Sequence, residues 1–218
     1  MGNFDFAVIW NNLPLLWEGL QVTFLLTFLA LVGGIILGTL LALVRIANVP
    51  VLAWLAAGYV NFFRSLPLIL VIFWLYFLVP LYLGRPVGSF YSVLIAFVLF
   101  EAAYYSEIIR AGISSISRGQ IAAGRAIGLT YPQTMRYIVL PQAFRAMIPV
   151  LLTQAIVLFQ DTSLVYVVGL KDFLVSAELV ANRDQRLIEM FTFAALVYFV
   201  ICFAGSQLAR YLQKRLAT

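Results

Sequence analysis

Residues 119–141 read GQIAAGRAIGLTYPQTMRYIVLP, and they form the longest part of the middle of the chain that is not plainly a membrane span. The stretch is rich in alanine, glycine and arginine, and it holds no acidic residue. An apolar segment stands on either side of it. A polar segment of small residues between two membrane spans raises the question of whether another protein docks on it.

The composition is that of an integral membrane protein. The chain has 218 residues, of which 64% are hydrophobic and 11% charged, whereas a soluble domain carries about a quarter charged residues. The length predicts a single transmembrane domain over residues 1–218. The absence of histidine excludes histidine-based catalysis, proton relays and metal sites, and the lone Cys202 excludes a disulfide framework. No basic residue precedes Arg45, so the first span is predicted to be retained rather than cleaved as a signal peptide.

The hydropathy pattern predicts an all-α protein with five transmembrane helices, since a span needs about 20 apolar residues. Pro67 is predicted to kink the second span, and the pair Gly34 and Gly38 is predicted to let the first span approach a neighbouring helix closely. The fourth span is preceded by a loop at 111–136 that contains a helix of its own. The predicted spans are 19–45, 55–83, 89–110, 139–160 and 188–209.

The distribution of basic residues predicts the orientation. No acidic residue lies between Glu107 and Asp161. The other end of the predicted bundle carries basic residues interleaved with acids. The positive-inside rule therefore places the loop 111–136 and the C-terminus in the cytoplasm and the N-terminus outside. Nine basic residues are assigned to the cytoplasmic side: Arg45, Arg110, Arg118, Arg125, Arg136, Arg145, Arg210, Lys214 and Arg215.

Residues 117–127 contain no proline and are dense in helix formers, which predicts a helix that Gly128 stops. Arg118 and Arg125 are seven residues apart and share a face, where they can pair with acidic groups of a partner. A solvated basic loop without a partner is the alternative that composition alone favours. The small residues that fall at helical spacing on one stripe are Gly119, Ala122, Ala123 and Ala126.

The loop resembles the signature loop of ABC importer permeases, in which Glu-Ala-Ala is followed by three residues, glycine, nine residues, and Ile-x-Leu-Pro. Here Gly128 is followed by nine residues and then by Ile-Val-Leu-Pro at 138–141. The Ala-Ala positions fall on Ala123 and Gly124. The motif's glutamate falls on Ala122, so its acidic contact is absent.

Further motifs resemble the polar amino acid branch of these permeases. Residues 63–68 read FRSLPL and resemble Phe-Arg-Gly-Thr-Pro-Leu, while YSEIIRAGI at 105–113 resembles the run that precedes the signature loop. LPQAFR at 140–145 and DTSL at 161–164 are also similar to this branch. Together the motifs cover about residues 15 to 215, and the chain is most similar to the glutamate/aspartate permeases.

The resemblance implies a type I (MetI-like) importer transmembrane domain in the bacterial inner membrane. It implies a dimer of ABC ATPase subunits below the membrane, a second permease subunit, and a periplasmic substrate-binding protein. A homodimer remains open beside a heterodimer. The chain itself has no phosphate-binding loop, so it is predicted not to be an enzyme and to hold no cofactor, with ATP and magnesium on the ATPase. No nucleic acid is expected as a partner, and none of the residues is expected to bind a metal.

Two sets of site residues follow. Those predicted to couple to the ATPase are Arg118, Gly119, Gln120, Ala122, Ala123, Gly124, Arg125, Gly128, Leu140 and Pro141. Those predicted along the substrate path, where polar side chains also commonly bond neighbouring helices, are Arg64, Ser65, Glu101, Gln154, Gln160, Asp161, Thr162 and Ser163.

The sequence leaves two alternatives to the importer. The first is a small ion-coupled carrier or channel that uses Glu101, since intramembrane acids usually face a partner or a cavity. The second is a membrane enzyme, which is disfavoured because the sequence has no histidine and no Ser-Lys pair within a span.

Overall fold

The computed structural model describes residues 4–47, 49–85 and 87–216, and every regular element within these ranges is a helix. The helices are numbered here in chain order. They are α1 Ala7–Asn11, α2 Leu13–Ile46, α3 Pro50–Arg64, α4 Leu68–Leu83, α5 Ser89–Ser114, α6 Arg118–Ala126, α7 Tyr131–Val168, α8 Phe173–Arg183 and α9 Leu187–Leu216.

Four of the helices in the described ranges, α2, α5, α7 and α9, are long and apolar enough to cross a membrane. The helices α3 and α4 meet that condition only as a pair, and they are bent by 105° where they join. Counting the pair as one span gives five, so the all-α membrane fold predicted from the sequence is confirmed.

The break between α3 and α4 falls at Pro67, whose backbone is extended (φ −64°, ψ 133°). The amide of Ser65 bonds back to Asn61 O at 3.1 Å and that of Leu66 to Phe63 O at 3.3 Å, which closes the end of α3. The sequence predicted a kink within one long helix at 55–83. The structure has two helices instead, because proline offers no amide to continue the α3 ladder.

Two helices contain a π-helical turn that ends just before a proline. The turn Trp74–Leu78 lies before Pro80 in α4, and the turn Met135–Val139 lies before Pro141 in α7. A proline ring clashes with the carbonyl four residues earlier, and a wider turn at that carbonyl relieves the clash.

The helix α7 is longer than the span predicted at 139–160, because it begins at Tyr131 inside the predicted loop. Thr130 and Gln133 form a capping box at its start. Pro132 occupies the first turn, where no amide is needed.

The centre of the bundle is α5. In its most apolar window 61% of the residues are buried, against 22% in α2 and 17% in α9. The glycines of α2 make the contact with α5 close, because a Cβ atom on Gly38 would lie 2.8 Å from the Cβ of Tyr105 and 2.9 Å from Ala102 O. The predicted close approach at Gly34 and Gly38 is therefore confirmed.

Candidate functional site

The loop helix α6 is defined at both ends by local chemistry. The hydroxyl of Ser117 accepts a hydrogen bond from the backbone amide of Gln120 at 3.4 Å, which caps the N-terminus. Gly128 follows the C-terminus with φ +85°, a left-handed conformation that suits glycine. The helix thus begins and ends within one residue of the bounds predicted from the sequence.

One residue of α6 anchors the helix to the rest of the chain. Gly124 is buried, and a Cβ atom there would lie 2.8 Å from Cδ1 of Ile138 and 3.0 Å from Cγ2 of Thr134. Both neighbours belong to the first turns of α7. Gly124 therefore faces inward, and its small size sets how closely α6 packs on α7.

The opposite face of α6 is open. Neither arginine of α6 forms a salt bridge with any residue that the structure describes. Leu140 and Pro141 belong to α7 and not to this face. Gly128 and Pro141 are also exposed, but outside α6. The predicted coupling residues that are exposed within α6 are Arg118, Gly119, Gln120, Ala122, Ala123 and Arg125.

A cleft of about 420 Å³ lies between the end of α3, α5 and α7. Arg64, Tyr104 and Gln154 contribute to its wall, together with Ala111 and Ala146. The guanidinium carbon of Arg64 lies 5.5 Å from the centre of the Tyr104 ring, in the geometry of a cation–π contact. Tyr104 was not predicted as a site residue. Tyr104 lies three residues after Glu101, about one helical turn, and this spacing is the sequence signal that places both side chains on the same side of α5.

Glu101 lies behind the cleft wall and is fully buried. The side-chain amide of Gln154 donates to both carboxylate oxygens of Glu101, at 3.2 Å each. The sequence predicts that Glu101 faces a partner or a cavity, and the structure shows that its partner is the side-chain amide of Gln154 on α7. Glu101 and Gln154 join α5 to α7 at the edge of the cleft.

The other residues predicted along the substrate path lie apart from this cleft. Ser65 is exposed and donates its hydroxyl proton to Asn61 O at 2.7 Å. Thr162 is buried and donates to Phe159 O at 2.7 Å. The structure brings Arg64 and Gln154 together at the cleft, and the following residues of the same prediction lie outside its lining: Gln160, Asp161, Thr162 and Ser163.

A cluster of three charged side chains lies at the cleft. Glu107 lines the cleft, accepts a hydrogen bond from Arg45 of α2 at 2.9 Å, and also pairs with Arg110 of α5. The sequence predicts Glu107 beside Arg110, one helical turn away, but not the link to Arg45. Within the described ranges no group of three or more acidic, histidine or cysteine side chains could hold a metal ion.

Comparison with known proteins assigns this architecture to a family. Residues 30–218 match the family described as binding-protein-dependent transport system inner membrane component. The glutamate/aspartate import permease protein GltK of Escherichia coli O157:H7 is 51% identical over 224 residues, which cover all of both chains. The probable glutamine ABC transporter permease protein GlnP of Bacillus subtilis is 38% identical over 208 residues, covering 94% of this chain and 95% of GlnP.

Solved structures agree with the fold. A chain of the crystal structure of an amino acid ABC transporter with histidines superposes with a TM-score of 0.92 at 30% identity, over 98% of this chain and all of the other. A chain of the inward-facing MetNI methionine ABC transporter superposes with a TM-score of 0.67 at 23% identity, over 95% of this chain, and that likeness concerns the fold alone.

Proposed function

The chain belongs to the family of binding-protein-dependent transport system inner membrane components, and on that premise we propose that it is the permease subunit of an ATP-driven importer of glutamate and aspartate. Family membership favours this function over an ion-coupled carrier that uses Glu101. The proposed substrates rest on the full-length relative at 51% identity, whose name is that of a glutamate/aspartate permease.

The observation that carries the proposed coupling is the two-sided character of α6. Gly124 fixes one side against α7, while the other side presents small residues and two arginines that form no salt bridge with the described part of the chain. Small side chains let a groove on a partner approach the helix backbone. A push on α6 then passes to α7 and the cleft through Gly124, Thr134 and Ile138. The proposed partner on this face is the ATPase dimer, which also holds the ATP and magnesium.

A bulky residue on the exposed face tests the docking. Ala123→Trp is expected to lower ATP-dependent uptake at least about tenfold, since a clash of about 1.4 kcal/mol suffices for that factor. Ala47→Trp is the matched control, because Ala47 is also exposed and lies at the end of α2, outside α6. Uptake and ATPase pull-down are measured in the same membranes. Normal uptake by Ala123→Trp would contradict the docking assignment.

The proposed orientation puts α6 and the C-terminus in the cytoplasm and the N-terminus in the periplasm, because the side that carries α6 holds nine basic residues. In a Cys202→Ala background, a cysteine at Gly119 is expected to react with an impermeant maleimide only after cells are opened. A cysteine at Gly84, in the turn after α4, is expected to react in intact cells.

The cleft is proposed as the part of the path where an anionic substrate passes. Arg64 forms no salt bridge within the described residues, and Tyr104 holds its guanidinium at the wall. Arg64→Ala is expected to reduce uptake of radiolabelled glutamate strongly, while Arg64→Lys retains a large part of it because the charge remains. If Arg64→Ala transports normally, the proposed substrate role of Arg64 is wrong. Both Arg64 variants are expected to assemble with the proposed second permease and with a substrate-binding protein as the wild type does.

A further inference from the structure

A second groove, of about 460 Å³, lies between α7 and α9 at the C-terminal end of α9. Its apolar part is formed by Pro149, Val150 and Leu216. Its polar part is formed by Arg145 together with the amide side chains of Gln142 and Gln213. The groove is thus amphipathic, with one cation beside two groups that can donate hydrogen bonds.

Within the described residues no carboxylate forms a salt bridge with the cation of this groove. The sequence holds no carboxylate between Glu107 and Asp161, nor any side-chain carboxylate after Glu189. Arg145 forms no salt bridge within the described residues. On α9 the exposed Arg210 and Lys214 add positive charge next to Gln213. A ligand that complements this groove is therefore anionic.

The groove also lies at the depth of lipid head groups. The helix α9 has 30 residues, which at 1.5 Å per residue span about 45 Å. A bilayer with its head-group regions is about 40–45 Å thick. The last turn of α9, with Gln213 and Leu216, therefore reaches the polar surface of the membrane, while Pro149 and Val150 lie deeper along α7.

We propose that this groove binds an anionic phospholipid of the leaflet that faces α6. The phosphate accepts hydrogen bonds from Arg145 and from the amide of Gln213, and the start of an acyl chain lies along Pro149, Val150 and Leu216. Basic grooves between transmembrane helices on the cytoplasmic side of membranes bind anionic head groups in this way. The groove adjoins the cleft at Arg64, since both are lined by Ala146 and Val150, but its polar side chains differ from those of the cleft.

The test uses the complete transporter purified from membranes and reconstituted in phosphatidylcholine vesicles. The probe is phosphatidylglycerol with a photoreactive acyl chain. Labelling is expected on the peptides that carry residues 142–150 and 213–216, and unlabelled phosphatidylglycerol is expected to compete where phosphatidylcholine does not. Equal competition by the two lipids would overturn the proposal, because the groove would then not select an anionic head group. Protein–protein cross-links from these same peptides would also overturn it, because a second subunit would then cover the groove.

Matched variants locate the charge. Arg145→Gln is expected to lower the labelling about fivefold, the factor that one cation near a membrane surface contributes. Arg145→Lys retains most of the labelling, and Arg85→Gln, the same change outside the groove, leaves it unaltered. If Arg145→Gln does not assemble, the wild type is compared in 50 mM and 500 mM salt, where screening is expected to reduce the phosphatidylglycerol preference. Unchanged labelling of an assembled Arg145→Gln protein, or a preference that salt does not affect, would refute the site.

Discussion

Grooves of similar size lie at the two ends of α9, and they differ in the ion pairing of their arginines. At its start, a groove of about 430 Å³ contains Arg183 and Arg186. Arg183 pairs with Asp184 at 2.7 Å and Arg186 with Glu189 at 3.1 Å. At its end, the groove of about 460 Å³ contains Arg145 without a carboxylate. The two grooves therefore differ in whether acidic partners accompany their arginines.

The difference separates two uses of charge. At the start of α9, Arg183 also donates to Asn12 Oδ1 at 2.7 Å, so the paired charges tie the junction of α1 and α2 to the turn between α8 and α9. At the other end, the arginines of α6 and Arg145 form no salt bridge with the residues that the structure describes. Paired charges hold the fold together at one end, and at the other end the arginines belong to the surfaces that we propose bind a partner and a lipid.

Glu107 is the exception at the basic end, and removing it should give the largest effect. Arg45 is 14% exposed and Glu107 23% exposed in their side chains. Glu107→Ala leaves two arginines without their partner, and we expect a loss of about 2–3 kcal/mol in the free energy of unfolding, since the pair is partly buried and breaking a fully buried pair costs more. Denaturant unfolding in detergent measures it. Asp184→Asn, at an exposed pair, is the control and is expected to lose less stability. Equal losses in the two variants would show that burial does not determine the cost of losing the carboxylate.

The packing of α6 gives the next largest effect. Gly124→Leu places a side chain where Ile138 and Thr134 already lie, and we expect a cost of about 1–3 kcal/mol from overpacking. The expected signature is faster amide hydrogen exchange in α6. Gly119→Ala is the matched change, because the nearest atom to a Cβ there is Ser117 Oγ at 3.8 Å. If the two variants exchange alike, Gly124 does not anchor the helix.

An acidic partner like those at the start of α9 can also be introduced at its end. Gln213→Glu supplies the groove of Arg145 with the carboxylate that it lacks, and we expect the preference for phosphatidylglycerol to fall about three- to fivefold, the effect of about one unit charge at a membrane surface. Photolabelling measures the preference. Gln207→Glu places the same charge on α9 away from the groove and should change the labelling little. A preference that rises in Gln213→Glu would show that the groove does not select anions.

The smallest effect concerns pH. The exposed Arg183 beside Asp184 lowers the pKa of that carboxyl below its usual value. The pair therefore adds stability above the ordinary carboxyl pKa, and this is lost as the pH falls through the lowered value. Melting temperatures of wild type and Asp184→Asn should converge slightly in acid. A gap between them that widens in acid would reverse the sign assigned to this pair.

Local features were predictable from the sequence, whereas contacts between distant residues were not. The bounds of α6 follow from Ser117 and Gly128, since caps act on their own helix end. The sequence predicted a kink at Pro67 within one helix, but neither the separation into two helices nor the 105° angle between them. The contacts of Arg64 with Tyr104 and of Glu101 with Gln154 join separate helices, and no pattern within one helix encodes them.

The break at Pro67 has a consequence for how the protein is made. The helix α3 has 15 residues, about 23 Å at 1.5 Å per residue, and is shorter than the hydrocarbon core of about 30 Å. We expect that neither α3 nor α4 alone stops transfer across the membrane during synthesis. We therefore expect the insertion machinery to hold α3 until α4 has emerged from the ribosome and to release the two helices into lipid together.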